Sequence, residues 1–410
     1  MAPVRCTENT LRLVARTLKN RLNRFVIFSV MLPFTLWVQS LEAQDVQTTR
    51  IDDEELHIQK RSIDFEATYF GEVFTNTRGG ISTKGATQYA GLLDLLMTID
   101  FDRLRSPLPG KFVMLTQNTH GRGLTEDFVG DTQVLSNIDS FKNIMQVGEY
   151  WWESQWLDGK LTVRMGKQDF NTEFQRIEGA EYFIQSTFGL SPSTAFPTYP
   201  DQSMAAVALT KLADATQFKA GIWSAFAKGG SWGFSGSDSI LLASELEHRY
   251  SLTGDELPGI VAIGAVYESD GVIDGQTVSP VHEYFFQVEQ VIYRECPWDK
   301  ECNQGLAVFG GYYPRFPGDQ RTVKSIGSSS VVGMTYTGLI PGRDNDVFGM
   351  GIASAELFQG GRNRETVTEI FYRAMLTPRA SLQPDVQYIA SPSGIYRDAL
   401  VVGGRFELRL

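Results

Sequence analysis

The chain ends in A-L-V-V-G-G-R-F-E-L-R-L, from Ala399 to Leu410. Leu400, Val402, Gly404, Phe406, Leu408 and Leu410 share one parity, and Arg405, Glu407 and Arg409 take the other. Side chains alternate faces along a strand. One face is therefore apolar or glycine, and the opposite face becomes charged toward the end. One strand of a water-soluble sandwich can carry this pattern, but a strand with lipid outside and water inside requires it. The alternation recurs upstream. Ile63 to Asn76 sets Phe65, Tyr69 and Val73 against Glu66, Thr68, Glu72 and Asn76. Gln88 to Phe101 sets Leu93, Leu95, Met97, Ile99 and Phe101 against Asp94, Thr98 and Asp100. The expected fold is all-β, a transmembrane antiparallel β-barrel.

About 16 strand-like runs separated by turn signals lie between Ile63 and Leu410. An even number returns both ends of the barrel to one side. Taking that side as periplasmic puts Pro378-Arg379 and Pro341-Gly342-Arg343 in short periplasmic turns, and the segments 230–238 and 318–328 in longer loops outside. Among the later runs, strands are expected at Phe218–Lys228, Gly305–Phe316 and Val331–Ile340.

The bulk composition agrees. Mean hydropathy is −0.16. Beyond the N-terminus no apolar run reaches the length of about 18 residues that a membrane-crossing helix needs. Arg12, Arg16, Lys19, Arg21 and Arg24 precede an apolar core, Phe25 to Val38, which reads as a secretory signal cut after Ala43. An uncleaved anchor is the alternative. The expected organisation is a signal peptide over 1–43, a short polar periplasmic extension over 44–62, and the barrel over 63–410. Losing residues 1–43 removes six basic and two acidic residues, making the formal charge of −11 more negative still. Such an acidic protein disfavours nucleic acid as a partner.

Cys296 and Cys302 flank the turn-like stretch C-P-W-D-K-E-C. A disulfide closing that turn suits an oxidising periplasm, with two reduced thiols as the alternative. No His lies nearby, so a metal site is not expected. Enzyme chemistry finds little support. The four histidines are scattered, and neither H-E-x-x-H nor G-x-S-x-G occurs. Glu149 and Glu153 lie four apart on one strand, roughly 13 Å at the usual rise, too far for a glycosidase pair. No cofactor is expected.

Several stretches, taken in order, resemble the carbohydrate-selective outer-membrane porins of the OprB type. They are L-T-E-D-F-V-G-D-T-Q-V-L-S-N-I (Leu124 to Ile138), E-Y-W-W-E-S-Q (Glu149 to Gln155), L-T-V-R-M-G-K-Q-D (Leu161 to Asp169) and Y-F-I-Q-S-T-F-G (Tyr182 to Gly189). L-Q-P-D-V-Q-Y-I-A-S-P (Leu382 to Pro392) resembles the family's penultimate strand, and V-V-G-G-R-F-E its last. Two features depart from the pattern: the chain ends in Leu410 where such barrels commonly end in an aromatic residue, and the basic segment before the signal core is unusually long. The resemblance implies a 16-stranded barrel in the bacterial outer membrane through which small neutral sugars diffuse. Barrels of this kind are commonly trimers, so a homotrimer is compatible with it. Two alternatives remain: a general porin for small hydrophilic solutes, and a secreted carbohydrate-binding β protein without a pore.

A pore that favours sugars needs hydrogen-bonding groups of both kinds and flat aromatic surfaces. By parity Glu149, Trp151, Glu153 and Gln155 point into the lumen, as do Arg164 and Gln168 on the next strand. Arg164 and Glu153 then form a facing pair. The long segment Asn171 to Pro200 is the candidate constriction loop, carrying Glu173, Arg176 and Glu178 among many aromatic residues. An external loop that apolar would be a sticky surface, so folding into the barrel is expected. The alternative is an outer lid or an oligomer contact.

Overall fold

In the computed structural model the described residues are 62–410, apart from 235–238, 254–256, 274–275, 279, 300–301, 316–325 and 359–360. The signal peptide and nearly all of the extension expected before Ile63 lie outside them.

The strands are β1 (Ile63–Gly80), β2 (Thr87–Asp100), β3 (Lys111–Gly121), β4 (Ile144–Trp156), β5 (Leu161–Gln168) and β6 (Ser203–Ala213). They continue with β7 (Thr216–Ser224), β8 (Ile240–Leu252), β9 (Leu257–Glu268), β10 (Gly271–Ile273), β11 (Gln276–Val278) and β12 (Val281–Arg294). The last are β13 (Gly305–Tyr313), β14 (Ile326–Thr337), β15 (Val347–Leu357), β16 (Arg364–Thr377), β17 (Ala380–Ala390) and β18 (Arg397–Arg409). Strands β10 and β11 form a separate hairpin, and the other 16 close a single barrel. Each pairs antiparallel with its chain neighbour, and β1 closes against β18 from Thr68↔Arg409 to Gly80↔Arg397. Closure leaves no unpaired sheet edge, which is what a spanning sheet requires in lipid.

The alternation read from the sequence holds in the barrel wall. Phe65, Val73, Leu95, Val402 and Phe406 lie exposed on the outer surface. Glu72, Asn76 and Glu407 are buried on the lumen side. Several strand limits differ from expectation. Strand β7 stops at Ser224, and β14 begins at Ile326 rather than Val331. The Gly/Ser-rich start of β14 reads as a turn, yet it pairs with β15 (Ile326↔Leu357, Ser329↔Ala355). Its small polar side chains suit a crowded lumen, where Ser329 Oγ lies 3.3 Å from Ser191 Oγ. The β10–β11 hairpin was not foreseen, although Asp274-Gly275 is a hairpin dipeptide.

Segment 169–202, between β5 and β6, crosses the lumen. In a ring of 16 strands, β15 lies opposite β5. A Cβ on Gly351 of β15 would sit 2.5 Å from the Phe188 ring of this loop, and Phe183 packs there too. The glycine-rich lumen face of β14 and β15 therefore makes room for rings. Phe183 stacks on Phe188 at 4.2 Å and meets Phe309 and Phe371 edge-on at 5.5 and 5.0 Å. A second aromatic group, Phe170, Phe174, Phe196 and Trp223, secures the other end of the loop against β7.

Candidate functional site

The loop is bonded to the wall mainly through its backbone. Gln175 N–H donates to Glu245 of β8 at 3.0 Å. Glu178 and Gly179 N–H donate to Glu289 of β12 at 2.8 and 2.6 Å. Ile184 and Gln185 N–H donate to Glu369 of β16 at 2.7 and 3.0 Å. Glu283 of β12 accepts from the Gln175 side-chain amide at 2.7 Å and from the Ser191, Ser193 and Thr194 hydroxyls. Carboxylates spaced along the inner face of several strands thus fix the path of one irregular segment, satisfying amides that would otherwise be buried without partners.

Segment 122–143 also turns inward, which the sequence reading missed. Thr132 and Gln133 N–H each donate to Glu365 of β16 at 2.9 Å. Asn137 N–H donates to the Ile184 carbonyl at 2.8 Å, joining the two loops. The apolar content of Leu124, Phe128, Val129, Leu135 and Ile138 was the available signal. Burial, with the Glu365 carboxylate beside it, pushes the Asp131 carboxyl of this loop up to about 8.

On the β4–β8 wall, Arg164 donates to Glu153 at 2.7 Å and to Glu173 of the loop at 2.8 Å. Lys111 approaches the other Glu153 oxygen at 3.0 Å. The facing pair expected from parity is therefore present, extended by one residue at each end. Lys219 of β7 reaches Glu245 at 2.8 Å and Glu247 at 2.7 Å. Arg249 of β8 bridges Glu247 at 2.9 Å and Glu178 of the loop at 2.8 Å. Glu173, Arg176 and Glu178 of the loop, with Lys219, Glu247 and Glu289 of the wall, line a recess on the side of the loop facing the rim where β1 begins and β18 ends.

Across the lumen a second charged group forms on β16, β18 and β1. Arg373 donates to Glu407 at 2.9 Å, and Arg405 to Glu72 at 2.6 Å. The Arg373 guanidinium also lies 4.6 Å from the centre of the Tyr182 ring.

Three sequence-predicted residues take other positions than a bare pore lining. Trp151 is lumen-facing but only 8% exposed. Its indole N–H donates to Glu149 at 2.9 Å, and the Arg164 guanidinium covers its ring at 4.2 Å. Its flat face therefore meets a cation rather than open lumen. Gln168 is 1% exposed, buried where β5 turns into the loop. Gln155 is exposed at the end of β4, toward the rim of the turn 157–160. Missed altogether were Lys219, Glu245, Glu247, Arg249, Glu289, Arg373 and Glu369, although the S-E-L-E-H-R stretch of β8 carries its charges on every second residue.

Cys296 and Cys302 are joined by a disulfide across the turn after β12, their Cα atoms 6.1 Å apart. Among the described residues no cluster of His, Cys, Asp or Glu is arranged to hold a metal ion.

A closed barrel with its lumen narrowed by a bonded loop and lined with charges of both signs is a channel architecture. Residues 84–410 match the carbohydrate-selective porin, OprB family. The chain belongs to that family. Porin B of Pseudomonas aeruginosa is 22% identical over 409 residues, covering 85% of this chain and 87% of its own. The high-pH structure of Pseudomonas putida OprB superposes with a TM-score of 0.73 at 19% identity, covering 85% of this chain and 94% of that one. Its low-pH structure gives a TM-score of 0.58 at 17% identity, covering 85% and 93%. This OprB-family barrel is an integral protein of the bacterial outer membrane and a carbohydrate-selective porin. The short-turn rim, where β1 begins and β18 ends, is the periplasmic one by the usual arrangement of such barrels.

Proposed function

We propose that small neutral sugars diffuse passively through this barrel along the ion-paired faces on either side of the inward loop, with no covalent step and no cofactor. The observation carrying this reading is the Glu153–Arg164–Glu173 bridge, which ties the loop to the wall by charges of opposite sign. Paired charges present both donors and acceptors to hydroxyl groups while giving ions of one sign little net preference. Glu149, Trp151, Glu153, Arg164, Glu173, Arg176 and Glu178 belong to this pathway, and Gln155 to its periplasmic mouth. Gln168 is buried at the end of β5, where the loop begins, and lies off the pathway.

The test is single-channel conductance of the refolded protein in a planar bilayer, with glucose and maltose titrated in. Conductance should fall saturably with sugar, and Arg164→Ala should raise the sugar concentration for half-block about tenfold. Conductance indifferent to sugar would leave a general porin for small hydrophilic solutes, and a folded protein without a channel would leave a binding protein.

We also propose a homotrimer formed through the outer face of β1–β3. Support comes from hydrogen-bonding side chains on that lipid-facing surface. Tyr69 bonds Tyr89, and His120 Nε2 lies 3.0 Å from the Tyr69 hydroxyl, while His120 Nδ1 lies 3.2 Å from Asn118 Oδ1. Polar side chains at such a surface favour protein over lipid as neighbour. Native mass spectrometry in detergent should find three chains. A single chain, stable on dilution, would rule the trimer out.

A further inference from the structure

Lys167 of β5 has the parity opposite to Arg164 and Gln168, so it points out of the barrel, toward lipid. It is nevertheless fully buried. Its ammonium donates to the Val147 carbonyl of β4 at 2.7 Å and to the Ser231 carbonyl at 2.9 Å. Ser231 belongs to the connection between β7 and β8, at the rim opposite the short turns. That connection therefore folds back across the outside of the wall. Two further bonds hold it there. The hydroxyl of Tyr150, the cross-strand partner of Lys167, donates to the Trp232 carbonyl at 2.8 Å. The Met204 N–H of β6 donates to the Gly233 carbonyl at 2.8 Å. Gly233 has φ 90°, and a Cβ there would sit 2.8 Å from the Met204 nitrogen and 3.1 Å from the Lys167 stem. Only glycine fits so close to the wall.

The backbone of this short segment is almost fully satisfied by protein. The carbonyls of 231, 232 and 233 accept from the wall, as above. The N–H groups of Gly229 and Gly230 donate to the Asp201 carboxylate and the Gln146 side-chain carbonyl. Those of Ser231 and Gly233 donate to the Lys228 carbonyl and the Ser231 hydroxyl. A loop in water has no need of such complete pairing, because solvent supplies the partners. An irregular backbone beside lipid does need it. The side chains go the other way. Trp232 is 76% exposed and Phe234 66%, and Met145, on the outward face of β4 next to Gln146, is 76% exposed. Tryptophan joins a large apolar ring to one N–H donor, which suits the boundary between lipid headgroups and acyl chains.

We infer that residues 229–234 form a strap, stapled to the outer wall by Lys167, that seats Trp232 and Phe234 in the outer leaflet at the headgroup–acyl boundary. The partner is lipid. Polar groups of the strap turn to the barrel and its rings turn to the membrane, so an outward lysine sits in the lipid-facing wall without meeting lipid.

The experiment places a nitroxide on the strap. Cys296 and Cys302 are joined, so in a Cys6→Ser background a single introduced cysteine is labelled alone. Trp232→Cys and Phe234→Cys are labelled in separate proteins, refolded into phosphatidylcholine vesicles, and relaxed with oxygen, which concentrates in lipid, or with a water-soluble nickel chelate. Lys84→Cys, on the exposed turn between β1 and β2, is the aqueous control. The oxygen-to-nickel accessibility ratio at 232 and 234 should lie several-fold above that at 84. Adding Lys167→Met should release the strap and bring both ratios down to the control value, with the folded band in gel electrophoresis showing that the barrel remains closed. Ratios equal to the control in the parent would put the strap in water and overturn the inference. Labels shielded from both reagents would mean that protein, a second copy of the chain, covers the strap, and would overturn it equally. High ratios that survive Lys167→Met would overturn the stapling role of the lysine.

Discussion

At the scale of single residues, the lumen is organised by ion pairs, several of them deeply buried. Lys219 and Glu245 keep only 6% and 2% of their side chains exposed. Removing one member of such a pair strands the other in a poorly hydrated site, which costs about 3–5 kcal/mol. Lys219→Met is therefore expected to lower the temperature at which the folded band converts to the unfolded band in gel electrophoresis. An unchanged temperature would mean that water reaches Glu245 and that the pair contributes little. The sequence made part of this legible. Parity alone placed Arg164 against Glu153, because strands bring residues of like parity to one face. It did not reveal Lys219, which sits singly in F-K-A-G-I, nor the covering of Trp151 by Arg164. A cation over a ring depends on how two neighbouring strands register, and no single strand states its register.

At the scale of elements, two loops behave as parts of the core. The glycine at 351 is the contact that lets the longer one reach the far wall. Gly351→Val would drive a side chain into the Phe188 and Phe183 rings, an overpacking worth about 1–3 kcal/mol. The expected result is a displaced loop, seen as larger and noisier single-channel conductance in a barrel that still folds. Unaltered conductance would show that the rings shift without moving the loop. The shorter loop, 122–143, carries a pH dependence. Its Asp131 carboxyl is raised from 3.8 to about 8 by burial and by Glu365. Between these values the docked loop keeps a proton that the released loop gives up, so docking weakens as pH rises through that window. Protease nicking of this loop should accelerate from about pH 4 to about pH 8, and Asp131→Asn should flatten that rise. The apolar content of Asn171 to Pro200 predicted an inward loop. The same argument applied to 122–143 would have found the second, since both carry more buried apolar side chains than a solvated loop can hold.

At the scale of the molecule, the hydrogen-bonded ring of strands dominates every smaller device. The disulfide across the turn 296–302 closes a very short loop, so its effect on chain entropy is bounded at about 2 kcal/mol. A Cys296→Ser, Cys302→Ser variant should refold, insert and conduct like the parent, as should reduced protein. Loss of the folded band in this variant would mean that the turn guides assembly of β12 and β13. The barrel was the most legible level of all, because lipid on one face and water on the other impose one alternation on each of its 16 strands. The β14 start was misread for the complementary reason: Gly327 and the serines at 328–330 carry no apolar stripe to mark it.

The bonds that hold the long loop run from wall carboxylates mostly to main-chain N–H groups. Every residue except proline owns that group, so the barrel recognises the course of the loop and not its spelling. Side chains such as Arg176 can be exchanged while the anchoring amides at 175, 178, 179, 184 and 185 stay where they are. The filter is in this sense a replaceable cartridge. New selectivities can be written into it one position at a time, without redesigning the cylinder that carries it.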